Sequence, residues 1–178
     1  MKKMLAACFL LIAGYCLATE NLILNGNFQA EAGGFPLYWM FRSHSNGTIF
    51  HFPDGGPEGR SFIRIQTTDG AFYLEQRNLK VVPNAPYLLS AYIRTRNVKD
   101  STTGVVLEAN AGITGLPSDC TEWQHHSVQV SFKYENIMVR ITVEKNGGEL
   151  DIAGLTLIPL SEEARIGSYL QKVDKLLP

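Results

Sequence analysis

Asn21-Leu22-Ile23-Leu24-Asn25-Gly26-Asn27-Phe28-Gln29 is the stretch on which the reading of this chain turns. An apolar run, Leu22 to Leu24, stops at Asn25-Gly26, a dipeptide that favours turns because both residues tolerate a left-handed backbone. Phe28 follows as a large ring to be packed. The stretch reads as an opening strand closed by a turn.

What precedes it reads as a secretion signal. Lys2 and Lys3 form a positive start, Met4 to Gly14 an apolar centre, and Cys16-Leu17-Ala18 place small residues around a cut before Thr19. The apolar run is too short to span a membrane. Lipidation at Cys16 is the competing reading, and Tyr15 stands against it where a small residue is expected. The expected organisation is a signal peptide over 1–18, a β-domain over 19–160 and a helix over 161–178. The short Lys-Lys signal suggests a bacterial protein, secreted or periplasmic. Cys8 and Cys16 leave with the signal, so the mature chain keeps Cys120 alone and forms no internal disulfide. Cys120 reads as a half-buried thiol near a loop rather than a nucleophile.

Of the 178 residues, 45% are hydrophobic and 19% charged, as in a globular domain. A formal net charge of −1 supplies no basic excess for phosphate contacts, which excludes nucleic acid as a partner.

Downstream, runs that alternate with period two are separated by Gly, Pro, Asn and Asp. Phe62 to Gln66, Ala71 to Arg77, Tyr87 to Thr95, Val105 to Ala111, Gln124 to Phe132, Met138 to Glu144 and Leu150 to Leu160 each read as a strand. Such a series, without helices between, predicts an all-β antiparallel sandwich of about eight or nine strands. Its alternation assigns Leu89, Ala91 and Ile93 to a core side, with Val139, Ile141, Val143, Val105, Leu107 and Ala109. The opposite phase carries Tyr92, Arg94, Glu108, Asn110 and Arg140. If these strands share a sheet, its outer face combines rings with planar polar groups, as sugar binding requires. After Leu160, Ser161 is a helix cap, Glu162 and Glu163 suit the first turn, and Ile166, Leu170, Val173 and Leu177 recur at helical spacing. That stripe must bury on the sandwich or on a protein partner.

From Asn21 to Leu160 the chain resembles carbohydrate-binding modules of the family 4/9/22 type, which are galactose-binding-like jelly rolls. The resemblance lies in Asn25-Gly26-Asn27-Phe28, Pro36-Leu37-Tyr38-Trp39, Gly59-Arg60-Ser61-Phe62, Leu74-Glu75-Gln76, Pro83-Asn84-Ala85-Pro86, Thr121-Glu122-Trp123 and Ile152-Ala153-Gly154-Leu155. It implies a non-catalytic, exported domain that binds a polysaccharide or oligosaccharide. Tyr73 or Tyr92 would stack on the sugar, with Gln76, Arg94, Glu108, Asn110 and Arg140 bonding its hydroxyls. It also implies that Trp39 and Trp123 belong to the core. The family often holds a structural calcium between its first and last strands. Here the matching positions are Gln29, Ala153 and Gly154, which lack the anionic oxygens calcium prefers. Asp151, two residues early, is the remaining acid, and no cofactor is expected.

No motif points to catalysis. Glu75, Glu108 and Glu144 are carboxylates, but nothing pairs them across a glycosidic bond. His125 and His126 point to opposite faces of a strand, and the histidines show no metal-ligand spacing. Two other classes remain open: a structural or adhesive exported domain that has lost its sugar, and an unrecognised hydrolase.

Overall fold

The computed structural model describes residues 20–30, 35–43, 47–68, 70–107, 111–144, 148–162 and 164–167. The signal-like segment lies outside them. Ten strands run in chain order: β1 Met40–Ser43, β2 Gly47–Phe52, β3 Phe62–Thr67, β4 Phe72–Lys80, β5 Pro86–Arg96, β6 Gly104–Val106, β7 Gly112–Ile113, β8 Cys120–Ser131, β9 Asn136–Val143 and β10 Gly148–Pro159. They form two antiparallel five-stranded sheets. The first has the order β1-β4-β9-β6-β7 and the second β2-β3-β10-β5-β8. The sandwich expected from the spacing of turns and alternating runs is therefore present.

Alternation decides what fills the space between the sheets. Leu89, Ala91 and Ile93 of β5 are buried, as are Val139, Ile141 and Val143 of β9 and Val105 of β6. They meet Phe72 and Leu74 of β4 and Ile63 and Ile65 of β3 in one core. Strands β1 and β2 were not legible as strands. Their sequence, Met40-Phe41-Arg42-Ser43 and Gly47-Thr48-Ile49-Phe50, follows no apolar alternation, and β1 lies at a sheet edge.

Asn21–Phe28 differs from the strand expected there. It forms no regular ladder and instead bridges the two sheets. On one side the Leu22 N–H donates to the Leu157 carbonyl at 2.9 Å, and the Leu155 N–H donates to the Gly26 carbonyl at 2.9 Å. The Asn21 side chain completes this side, donating to the Leu155 carbonyl and accepting from the Leu157 N–H. On the other side Gln76 of β4 takes both backbone groups of Leu24: its Oε1 accepts from the Leu24 N–H and its Nε2 donates to the Leu24 carbonyl.

The docking depends on a bulge in β10. Its register with β5 shifts between Ala153 and Thr156, where Gly154 has φ +58°. A bulge leaves an extra residue unpaired with the neighbouring strand. The Leu155 N–H finds its partner in Gly26 instead. Gly26 allows this because a Cβ there would stand 1.9 Å from the Leu155 oxygen. Beyond it Phe28 is fully buried, with its ring 5.4 Å from that of Trp39, whose Nε1 donates to the Asn25 carbonyl. Trp39 is thus a core residue, as expected.

At the far end, Ser161 caps a helical turn: its Oγ accepts from the Ala164 N–H at 3.2 Å. Ala164 is buried and Ile166 is 49% exposed, so this first turn seats Ala164 rather than the anticipated Ile166 stripe. Leu170, Val173 and Leu177 lie outside the described residues.

Gly26→Ala should cost about 3 kcal/mol, because backbone must separate to admit the methyl group. Urea denaturation of the purified domain checks this, and a loss below about 1 kcal/mol would show that the close approach is not needed.

Candidate functional site

Two outer faces offer polar groups beside rings, one on each sheet. On the first sheet, the outward residues of β4 are Tyr73, Glu75 and Arg77. Antiparallel register sets Glu75 opposite Arg140 and Tyr73 opposite Thr142 on β9, and sets Met40 and Arg42 of β1 on their other side. Glu75 is fully buried although it points away from the core. A lone carboxylate could not remain ionised there. It stays ionised because guanidiniums enclose it. Arg140 Nε donates to its Oε1 at 2.8 Å, Arg77 donates Nε and Nη2 to its Oε2 at 2.9 and 2.7 Å, and Arg42 Nε lies 3.7 Å from Oε2.

Burial pushes the Glu75 carboxyl up, but the hydrogen bonds and charges of Arg77 and Arg140 outweigh it, and the net direction is down. The Arg140 guanidinium also lies over the Tyr73 ring, 4.6 Å from its centroid. Tyr73 in turn donates to Glu144 Oε1 at 3.2 Å, which Thr142 shares. Desolvation, followed by the Glu144 charge and hydrogen bond, raises the Tyr73 hydroxyl above its ordinary value, so it remains a neutral phenol. Along β4 and β9 this face thus runs from Glu144 through Tyr73, stacked on Arg140, to Glu75 and Arg77, with Arg42 of β1 opposite Tyr73 and reaching toward Glu75.

The second sheet's outer face is built differently. Asp151 of β10 is buried between Arg64 of β3 and Arg94 of β5, with Arg64 donating Nε and Nη2 at 2.7 and 2.9 Å and Arg94 donating Nε. The Arg64 guanidinium is held more firmly protonated, chiefly by that hydrogen bond. Arg94 is sandwiched by rings, 4.5 Å from the Trp123 centroid and 5.1 Å from that of Phe62. Phe62 stacks on Phe52 at 4.5 Å and meets Trp123 edge-on at 5.3 Å. Tyr92 lies between Arg60, 5.5 Å from its ring, and His125 at 4.8 Å. The rings and guanidiniums here are turned on one another.

The seven residues singled out from the sequence therefore do not converge. Tyr73 and Arg140 share the first sheet's face. Tyr92 and Arg94 lie on the opposite side of the sandwich, because β5 belongs to the second sheet while β6 and β9 belong to the first. Gln76 is inward, with both ends of its amide on Leu24, so it fastens the amino-terminal segment. Glu108 and Asn110 lie outside the described residues. Trp123 is not a core residue: it is half-buried on the second sheet's outer face, with its Nε1 buried and unpartnered. Arg42 and Arg77 were missed. Arg42 sits in an unrecognised strand, and Arg77 beside the register shift between Gln76 and Leu79.

The calcium that the family resemblance raises does not fit. Gln29 is neutral, Ala153 and Gly154 offer no side-chain oxygen, and Asp151 is engaged by two arginines. The Nη1 of Arg60 stands 2.9 Å from where a Cβ on Gly154 would begin, so a cation already lies beside that position. No group of three or more His, Cys, Asp and Glu suited to a metal occurs among the described residues.

Solved structures share this arrangement of sheets. A family 61 carbohydrate-binding module, solved in complex with β-1,4-galactotriose, superimposes with a TM-score of 0.53 at 15% identity, covering 79% of this chain and 99% of its own. The family 22 xylan-binding domain from Paenibacillus barcinonensis gives 0.51 at 9% identity, over 81% of this chain and 97% of its own. The chain has the fold of a carbohydrate-binding module. A similar arrangement occurs in the enzymatically active domain of tailspike protein 4 from bacteriophage CBA120, with a TM-score of 0.57 at 12% identity; there the match covers 79% of this chain but 21% of the tailspike. No protein-family model and no curated protein sequence matches the chain.

Two outcomes follow for this module-like domain. The lowered Glu75 pKa contributes stability that is present above the unfolded value near 4.5 and lost as pH falls through the lower folded value. The stability difference between the natural chain and Glu75→Gln should be constant above about pH 6 and shrink below about pH 4; a constant difference down to pH 2 would contradict it. Calcium at millimolar concentration should leave the melting temperature unchanged in calorimetry, and a rise of several degrees would show a site that the residues do not suggest.

Proposed function

We propose that this domain is an exported, non-catalytic binder of a polysaccharide or oligosaccharide, and that the sugar lies along the outer face of the first sheet. The observation that carries this reading is the Tyr73–Arg140 stack beside Glu144. The stack supplies a flat element, Arg140 supplies donors in a fixed plane, and Glu144 supplies acceptors. Sugars need that combination, because each hydroxyl both donates and accepts while the ring carbons present C–H faces. The solved modules with this fold favour the same class of ligand: one was crystallised with galactotriose, and another is a xylan-binding domain.

The second sheet's outer face is the weaker candidate. Its Arg94 is wedged between the Trp123 and Phe62 rings and shares the buried Asp151 with Arg64. Tyr92 has neighbours on its ring from Arg60 and His125.

Glu75 is suited to holding arginines rather than to acid catalysis. A glycosidase needs one carboxyl with a raised pKa to protonate the leaving oxygen. Glu75 is displaced the other way by its arginines. It positions Arg140 rather than carrying a proton.

Affinity electrophoresis of the full chain in gels containing β-1,4-galactan, xylan, cellulose derivatives or pectin tests the reading. Retention on at least one polysaccharide is expected, and Tyr73→Ala should weaken it about tenfold with the near-ultraviolet spectrum of the fold intact. Retention that survives Tyr73→Ala but is lost in Tyr92→Ala would move the site to the other sheet.

A further inference from the structure

Three guanidiniums converge on one carboxylate at the β1–β4–β9 end of the first sheet, and that ratio has a chemical consequence. Arg42, Arg77 and Arg140 approach Glu75 at 3.7, 2.7 and 2.6 Å. One negative charge among three positive ones leaves a local excess of two. The carboxylate is hidden, with its side chain 1% exposed, while the three arginines are 56%, 39% and 32% exposed. The positive charge is therefore what solvent meets. Arg42 is the least committed, since among the described residues its one ionic contact is long.

Among the described residues the other acid on this face is Glu144, which is bound to Tyr73 and Thr142. Nearby, Lys80 already pairs with Glu135. On the second sheet the arginines have more acid among them: Arg64 reaches Asp151 and Glu149, Arg94 reaches Asp151, and Arg96 reaches Glu149. The concentration of exposed guanidinium over one sunken carboxylate is thus particular to the proposed sugar face.

We propose that this face selects an anionic saccharide, with a sugar ring against the Tyr73–Arg140 stack and a negatively charged oxygen group against Arg42 and Arg77. The proposal rests on the reading above and adds the ligand's charge and orientation to it. A guanidinium offers its N–H groups as a planar fork that fits a carboxylate or a sulfate ester equally well. The chain's formal net charge of −1 gives no general attraction for anions, so anionic selectivity has to come from this patch. Glu75 keeps the guanidiniums from dispersing: it anchors Arg77 and Arg140 by hydrogen bonds and Arg42 by a longer ionic contact while cancelling one of their three charges. Arg42 and Arg77 become specificity residues, distinct from the stack that holds the ring.

Isothermal titration calorimetry on the full chain tests this with four kinds of probe. These are uronate trisaccharides (galacturonate, glucuronate and mannuronate), their neutral methyl esters, sulfated galactan oligomers, and neutral β-1,4-galactan and xylan oligomers. At least one free acid or sulfated oligomer should bind about tenfold more tightly than its uncharged counterpart. Whether it is the acid or the sulfate identifies the charged group. Arg42→Gln should remove most of that advantage while leaving the affinity for the uncharged oligomer within about twofold. Arg77→Gln should act in the same direction, and a melting curve separates its effect on Glu75 from its effect on the ligand. Equal affinity for charged and uncharged oligomers, binding of neutral oligomers alone, or an advantage untouched by Arg42→Gln would each overturn the proposal and leave the sugar-binding reading standing. Binding of none of the probes would count against both.

Discussion

A carboxylate that water cannot reach has to be neutralised by its neighbours, and the proposed site is organised around one such group. Glu75 is buried on the outside of a sheet, covered by arginines from three strands rather than by another layer of protein. Removing either kind of partner leaves a charge that was arranged for the other, a loss of about 3 kcal/mol or more in comparable buried pairs. The positions of Arg140 over Tyr73 and of Arg77 over the β4 bulge follow from that requirement. Period two then has a second effect on the same strand. Glu75 points outward to hold the face, and the next residue, Gln76, points inward to hold Leu24. Two adjacent residues of β4 thus couple the proposed binding surface to the segment that ties the sheets together.

The tie itself is a matter of close approach. Gly26 lets the backbone reach the bulge at Leu155, and Phe28 and Trp39 fill the space below it. A guanidinium, Arg60, lies beside Gly154, where the resemblance implies an acidic ligand for calcium. The fold is held there by backbone hydrogen bonds and ring packing.

Much of this fold was legible because alternation is a local property. Leu89, Ala91 and Ile93 announce their core side without reference to any other strand, and so do Val139, Ile141 and Val143. Which strands share a sheet is not local, since it is fixed by pairings between residues far apart in the chain. Tyr92 and Arg140 have the same phase in their own strands and still end on opposite sides of the sandwich. Trp123 shows the opposite lesson. In β8 it shares the phase of His125 and Ser127 on the outer face, whereas the resemblance implied a core position. Gln76 turns inward because a bulge and an irregular neighbouring segment give its amide partners there, and neither is visible in β4 alone. Arg42 was missed because an edge strand this short has no pattern to read.

The two outer faces make rival claims, and each carries its own reporter. Arg77 and Arg140 have side-chain Nε–H groups on the first sheet, and Trp123 has its indole N–H on the second. A proton–nitrogen correlation spectrum of the labelled domain, titrated with a saccharide it retains, reads all three at once. The account predicts that the Arg77 and Arg140 Nε resonances move with the ligand while the Trp123 indole resonance stays in place. Movement of the Trp123 indole with still arginine signals on the first sheet would place the sugar on the other face and contradict it.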